Sequence, residues 1–169
     1  GGEYRIAFDD RTDMNCSAAW HRDDVAVYIV LRYRQPDCST TEAVIQLKTG
    51  EVQISDFAQH LKTEHEAALV AGKLPVFRPL RIRYKGAEEH YYSYCATHRL
   101  NNFGKVRLVI NHRKADLSDK PVFYISNQVH WQAAGITPGA HWARRHRWPV
   151  EVYHEEGKAD GLNQYQVRD

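Results

Sequence analysis

Four side chains near the C-terminus have the types and the spacing that phosphodiester chemistry requires. If their segment is helical, Arg147, Glu151, His154 and Lys158 fall at i, i+4, i+7 and i+11, which places them on one stripe of the helix. A carboxylate between two permanent cations suits work on a metal-bound phosphodiester. Taken alone, the stripe also fits a solvent-exposed helix face with ion pairs, which is the commoner structure.

The spacing of these residues resembles the signature of a known family. The chain has Arg147, then Glu151 after three intervening residues, and then Lys158 after six more. This spacing is similar to the C-terminal signature of the DDE transposases of bacterial insertion sequences. The similarity covers roughly residues 104–169 and includes the sequence directly around the signature. One position departs from the pattern, because the family usually has Tyr three residues before the Arg and this chain has Arg144.

The resemblance implies a two-metal phosphoryl transfer. In such enzymes three acidic residues hold Mg²⁺ or Mn²⁺ ions, of which one activates water or a 3′-hydroxyl and the other stabilises the departing oxygen. Glu151 corresponds to the third acid, and Lys158 to the signature Lys, which is expected to bind a phosphate near the cleaved bond. Arg147 corresponds to the signature Arg, which orients Glu151 or holds DNA, and the adjacent Arg144 and Arg145 are further DNA-binding candidates.

The other two acids of the family are harder to find in this chain. The second acid ends a hydrophobic strand, and Asp10, with Asp9 as the alternative, fits that description. The plainer interpretation is an exposed turn or a helix N-terminus, where Asp is common. The first acid should lie well upstream, and no residue of the sequence matches it. We therefore expect a fragment with an incomplete metal site, which binds DNA but cleaves it poorly or not at all.

The net charge of +2 hides a basic central segment. Residues 76–115 contain nine Lys and Arg against two Glu, whereas residues 1–75 and 116–169 have net charges of −4 and −1. Such clustering is the electrostatic pattern of a surface that follows a phosphate backbone. Alternation of Arg with apolar residues also fits strands with one solvated face. The DNA-binding candidates in this segment are Arg81, Arg83, Lys105 and Arg107.

Hydrophobic patterning predicts a β-rich chain with two helices. The strand candidates are residues 4–8, 25–34, 43–47, 52–54, 80–85, 90–97, 106–111 and 122–126. Residues 48–50 are a hairpin turn signal between two of these strands. Ser55-Asp56 is a candidate cap for a helix that ends before Gly72, and a second helix is predicted over about residues 137–156, kinked at Pro149.

These elements divide the chain into three predicted segments. Residues 1–34 would be the end of the catalytic core and would carry the second acid. Residues 35–127 would form a β-rich basic insertion, and residues 128–169 would carry the catalytic helix. The fold class expected from the resemblance is α/β, a ribonuclease-H-like mixed-sheet fragment.

Composition is consistent with a DNA enzyme of the bacterial cytoplasm. No apolar run approaches the roughly 18 residues of a membrane span, and the three widely spaced cysteines fit a reducing compartment. The resemblance implies a nucleoid-associated homodimer that cuts and joins DNA at the ends of the insertion sequence. The alternatives are a non-catalytic DNA-binding remnant of a transposase and a stand-alone nuclease of the same fold.

Overall fold

The computed structural model describes residues 18–22, 25–29, 32–34, 37, 39–84 and 86–138. The strands in chain order are β1 (Ala18–Arg22), β2 (Val25–Ile29), β3 (Arg32–Arg34), β4 (Thr40–Glu42), β5 (Val44–Leu47), β6 (Gly50–Gln53), β7 (Arg78–Tyr84), β8 (Ala87–Leu100), β9 (Gly104–His112) and β10 (Val122–Ser126). Helix α1 (Ile54–Val70) connects β6 to the segment that leads into β7, and residues 133–138 are also helical.

Eight of these strands form one sheet in the order β1-β2-β10-β9-β8-β5-β6, with β7 also paired to β8. The other two strands, β3 and β4, form a small separate sheet. Every described strand pair is antiparallel, whereas the mixed sheet implied by the resemblance also contains parallel pairs. The prediction of a fold with both helices and strands is confirmed, and its sheet is antiparallel wherever the structure describes it.

The two faces of this sheet carry different residues, because successive side chains of a strand point to opposite sides. The rings of Tyr94 and His98 lie 5.9 and 5.1 Å from that of Phe57 in α1, so the even-numbered residues of β8 point to the helix. We call this side the helix face. The opposite side, the far face, carries the odd-numbered residues of β8, and residues 128–138 lie over it; the Thr97 hydroxyl donates to a carbonyl oxygen of that segment at 3.0 Å.

The hydrophobic core lies between α1 and the helix face. The helix contributes Ile54, Phe57 and Leu61, all at most 6% exposed, as the period of its apolar residues predicts. Ala68, which the pattern places on the same side, is half-buried, and the polar His65 is 5% exposed instead. The sheet contributes buried residues that include Ile45, Leu100, Val106, Leu108, Ile110, Phe123 and Ile125.

The C-terminal end of α1 confirms the predicted stop at glycine. Gly72 has a φ of +70°, in the left-handed region that favours a residue without a Cβ. Its N–H donates to the carbonyl of Leu69, and the N–H of Lys73 donates to that of Ala68, which satisfies two otherwise free helix carbonyls.

The N-terminal end of α1 corrects the predicted cap. Helix α1 begins at Ile54, before Ser55, and the residue at the cap position, Gln53, makes no side-chain bond to the helix. The Glu42 carboxylate of β4 accepts hydrogen bonds from the Ser55 N–H, at 2.8 Å, and from the Ser55 hydroxyl. Glu42, which is distant in sequence, therefore caps the helix N-terminus in place of the local residues Ser55 and Asp56 that the pattern predicted.

Most predicted strands are confirmed, and one is divided. The β5–β6 hairpin turns at residues 48–49. Strands β7, β8 and β9 are longer than predicted, and strand β10 has the predicted bounds. The strand predicted over residues 25–34 is wrong as a single unit, because β2 pairs in the large sheet and β3 in the small one. Strand β1 was not predicted.

The remaining predictions of architecture are only partly covered by the described residues. The strand predicted at residues 4–8 lies outside them, as does the predicted helix beyond residue 138, whereas helical structure already begins at residue 133. The three-segment division stays a prediction, although β2 and β10, from different predicted segments, are paired in one sheet. No helix among the described residues is long and apolar enough to cross a membrane.

Candidate nucleic-acid interface

The predicted catalytic and signature residues lie outside the described part of the chain. They are Asp9, Asp10, Arg144, Arg145, Arg147, Glu151 and Lys158. Among the described residues, no group of three or more His, Cys, Asp and Glu side chains is arranged to hold a metal ion. Of the predicted functional residues, the structure therefore describes those of the basic segment. It also describes the segment from which the chain continues into its C-terminal residues.

The four predicted DNA-binding residues of the basic segment are divided between the two faces of the sheet. Arg81 and Arg83 of β7 are cross-strand partners of even-numbered residues of β8, so they lie on the helix-face side. Lys105 and Arg107 of β9 are partners of odd-numbered residues, so they lie on the far face. A block of basic residues that is continuous in sequence thus forms two separate patches.

The patch on the helix-face side is partly neutralised by an acid. Arg81 Nε lies 3.9 Å from the carboxylate of Glu88, and His90 Nε2 lies 3.5 Å from the same carboxylate. The side chains of Arg81, His90 and Glu88 are 70%, 59% and 41% exposed, so the Arg81–Glu88 ion pair is screened by solvent. Arg83, the cross-strand partner of Glu88, is also exposed.

The patch on the far face concentrates positive charge. Arg99 and Lys105 are direct cross-strand partners and both are exposed. Arg107 follows two residues after Lys105 on the same face. We call Arg99, Lys105 and Arg107 the far-face cations, and such a group suits contact with the phosphates of a nucleic acid.

Arg107 also has a structural task that the sequence did not reveal. Its Nε donates to the carbonyl oxygen of Trp131 at 2.7 Å, and its Nη1 donates to the Thr97 hydroxyl at 3.0 Å. Its Nη2 lies 3.4 Å from the amide oxygen of Gln132. Arg107 therefore holds the start of the segment 128–138 on the far face, next to Lys105.

A cleft interrupts the edge of the sheet beside these residues. On one edge of β8, β7 pairs with residues 87–93 and β5 pairs only with residues 99 and 100. No described strand pairs with that edge between these two contacts. A cavity of about 840 Å³ opens there, which we call the edge cleft. The polar and aromatic side chains that line it include Phe57, Arg78, Ser93, Tyr94, His98 and Gln132.

Burial favours the neutral forms of Tyr94, His98 and Cys95, three of the titratable side chains that line the edge cleft. Tyr94 Oη and His98 Nε2 form a hydrogen bond of 2.8 Å. Burial raises the pKa of Tyr94 to about 12, and burial, followed by the charge of Arg107, lowers the pKa of His98. Burial also raises the pKa of the Cys95 thiol, which disfavours the reactive thiolate.

Among the described residues, two buried polar side-chain atoms on the far face have no hydrogen-bond partner. They are Oγ of Ser93, whose residue is 8% exposed, and Oδ1 of Asn111, whose residue is 2% exposed. The two residues are cross-strand partners on the far face, and Asn111 Nδ2 donates to the Thr137 hydroxyl at 3.0 Å. Because an unpaired buried polar group costs free energy, such atoms mark places where a further partner is stabilising.

Comparisons with known proteins give no family for this chain. No protein-family model matches it, and neither a curated protein nor a solved structure does. The inference of its function rests on its own residues.

Proposed function

We propose that this chain is part of the catalytic region of a DDE transposase of the insertion-sequence type, with a ribonuclease-H-like core, and that it binds DNA. The single observation that supports the proposal most strongly is the spacing of Arg147, Glu151 and Lys158. In the full-length protein we expect a homodimer that cuts and joins DNA at transposon ends in the bacterial cytoplasm, with Mg²⁺ or Mn²⁺ as cofactor.

The described surface is compatible with this role. The far-face cations lie beside the segment 128–138, and the chain continues from that segment into the residues that carry the signature. Thr137, near the end of the described chain, is fully buried and bonded to Asn111 of β9. DNA that follows the far-face cations would therefore meet the protein where the chain enters its signature region.

In this proposal the acids and the cations have separate tasks. Glu151 and Asp10, or Asp9, would hold the metal ions, which supply Lewis-acid stabilisation of the phosphoryl oxygens. Lys158 would bind a phosphate next to the cleaved bond, and Arg147 would orient Glu151 or hold DNA. Since no residue of the sequence corresponds to the first acid, we expect the chain by itself to bind DNA without efficient cleavage.

DNA binding is tested by fluorescence anisotropy with a labelled duplex over a series of salt concentrations. We expect Lys105→Gln to weaken binding and to lower the slope of log K against log salt by about 1, because one phosphate contact is lost. The matched control is Lys48→Gln, which removes an exposed lysine from the β5–β6 turn. Equal effects of the two substitutions would mean that the far face is not the DNA-binding surface.

The metal chemistry is tested at Glu151, by titration with Mn²⁺ and by a nicking assay with Mg²⁺. Manganese binding that Glu151→Gln weakens would support the enzyme. DNA binding that is indifferent to metal would support a non-catalytic remnant, which the missing first acid favours. Strong Mg²⁺-dependent nicking by the purified chain, abolished by Glu151→Gln, would show that the metal site is complete and point to a stand-alone nuclease.

A further inference from the structure

The edge cleft exposes an unpaired stretch in the middle of β8. Strand β7 pairs with this edge up to Ser93, and β5 pairs with Arg99 and Leu100, so residues 94–98 have no described strand beside them. This stretch spans about 14 Å at the rise of an antiparallel strand. Both β5 and β7 are antiparallel to β8, so the gap lies between two strands that run in the same direction. The sheet therefore has an opening for one short extended segment.

The backbone groups at this opening belong to odd-numbered residues of β8. In an antiparallel strand, the N–H and C=O of one residue point to one neighbouring strand and those of the next residue point to the other. The Asn101 N–H donates to a carbonyl oxygen of β5 at 3.0 Å, whereas the Leu100 carbonyl accepts a bond at 3.2 Å from the turn that leads to β9. By this alternation, the N–H and C=O groups of Cys95 and Thr97 point into the cleft.

These four backbone groups have no hydrogen-bond partner among the described residues. Cys95 and Thr97 are half-buried, and only their side chains are bonded. Two N–H donors and two C=O acceptors, repeated at every second residue, are the pattern that an added strand satisfies. An extended peptide backbone is therefore the complementary partner of this edge.

The helix-face side of the cleft favours a large apolar side chain. A residue inserted opposite Ala96 directs its side chain to the helix face, as Ala96 does, because cross-strand partners share a face. The methyl group of Ala96 leaves room there. Several lining residues on this side belong to the hydrophobic core or pack against it, namely Leu47, Phe57, Leu61, Val76 and Tyr94. An apolar side chain at this position would extend the core.

The far-face side favours small side chains. The residues before and after the one opposite Ala96 direct their side chains to the far face, next to Cys95 and Thr97. The Thr97 hydroxyl donates to the carbonyl of Val129 at 3.0 Å, and the Cys95 thiol lies 3.8 Å from the carbonyl oxygen of Trp131. These contacts hold the segment 128–138 over this edge, where Gln132, Ala133 and Ala134 line the cleft. Little height is left for a long side chain.

We propose that the edge cleft binds an extended segment of a partner protein, which pairs antiparallel to β8 at Cys95 and Thr97. The segment has one large apolar residue between two small ones. Its outer residues exchange four backbone hydrogen bonds with β8, and its central side chain packs against Phe57 and Tyr94. The proposal uses none of the far-face cations, so it stands whether or not the chain is part of a transposase.

The first test is amide hydrogen exchange, measured by NMR with and without the acetylated and amidated peptide Ser-Gly-Ala-Phe-Ala-Gly-Ser. In the free protein we expect the amides of Cys95 and Thr97 to exchange at least about tenfold faster than that of Ala96, which points to β9. Saturating peptide should slow both about tenfold or more and leave Ala96 unchanged. Slow exchange at Cys95 and Thr97 in the free protein would show that the edge is already paired. Protection that grows with protein concentration alone would assign the gap to a second copy of the chain. Either result would overturn the proposal, as would a peptide that leaves these amides unprotected.

Two N-methylated peptides test the pairing on the unaltered protein. Methylation of both alanine nitrogens removes the two N–H groups that point to β8, and we expect it to weaken binding at least about tenfold. Methylation of the phenylalanine nitrogen is the matched control, because that N–H points away from β8, and binding should be retained. Replacement of the phenylalanine by serine should also weaken binding, since the apolar contact is lost. Equal losses from the two methylated peptides would mean that the segment does not pair as a strand.

Substitutions in the protein locate the site. Ala134→Trp places a large ring at the far-face side of the cleft and should weaken peptide binding at least about tenfold. Ala67→Trp, at an exposed position of α1 outside the cleft, should leave it unchanged. Unchanged binding in Ala134→Trp would place the peptide elsewhere. Displacement of the peptide by duplex DNA, together with weaker peptide binding in Lys105→Gln, would assign the cleft to the DNA-binding surface and overturn the proposal.

Discussion

The helix face and the far face belong to the same strands, but the far face adds side-chain hydrogen bonds to its covering segment. On the helix face, Leu108 and Ile110 of β9 are fully buried in the core formed with α1. On the far face, Arg107 and Asn111 of the same strand make side-chain hydrogen bonds to residues 128–138. Apolar burial is non-directional, whereas hydrogen bonds specify orientation. The hydrogen bonds of the far face therefore fix how the chain approaches its C-terminal region, although this face also buries apolar side chains, such as Val109 of β9 and Ile136 of the covering segment.

The comparison is tested most strongly at the centre of the helix face. We expect Leu108→Ala to lower the free energy of unfolding by about 2–5 kcal/mol, because it leaves a cavity among fully buried side chains. Lys105→Ala, three residues earlier on the far face and exposed, should change it by no more than about 0.5 kcal/mol. Urea unfolding measures both, and a loss below about 1 kcal/mol for Leu108→Ala would contradict this account of the core.

On the far face, the decisive residue is Arg107. Arg107→Met keeps much of the side-chain volume but leaves the Trp131 carbonyl without its 2.7 Å donor and the Thr97 hydroxyl without its 3.0 Å donor. We expect a loss of about 1–3 kcal/mol, and faster amide hydrogen exchange in residues 128–138 than in α1. Lys105→Met is the control for loss of charge alone. Exchange that rises equally in both regions would show that Arg107 does not hold this segment specifically.

The parts of this architecture that the sequence predicts are those governed by local rules. The turn after Leu47, the bounds of β10 and the stop of α1 at Gly72 each depend on residues within a few positions. The cap of α1 was predicted wrongly because Glu42 reaches Ser55 from thirteen residues away. No local pattern indicates such a contact.

The candidate site shows the same limit. Period-two alternation is enough to place Lys105 and Arg107 on one face of β9, and Tyr94 and His98 on one face of β8. It does not reveal that Arg81 lies on the opposite side of the sheet from them, because that depends on the register of β7 against β8. The edge cleft likewise depends on where two separate strands meet the same edge of β8.

The smallest expected effect is a dependence of folding stability on pH. It distinguishes the two faces because they carry different titratable groups. On the helix-face side, burial lowers the pKa of both His65 and His98 below the ordinary value of about 6.5. The unfolded chain then binds protons more readily than the folded chain. The folding stability that depends on neutral His65 and His98 is therefore fully present above the histidine pKa of the unfolded chain. It is lost as the pH falls through the lower histidine pKa values of the folded chain. On the far face, the charge of Arg107 does not change in this range.

We therefore expect the urea midpoint of the protein to be lower at pH 5.0 than at pH 7.5. His98→Gln should reduce that difference, since an amide cannot be protonated in this range but can still accept a bond from the Tyr94 hydroxyl. Lys114→Gln, at an exposed cation, should retain the full difference. A wild-type midpoint that is equal at the two pH values would contradict the assignment of neutral, buried imidazoles to this face. A difference that His98→Gln leaves intact would attribute the dependence to His65, whose Nδ1 accepts the Phe77 N–H at 3.0 Å and loses that role when protonated.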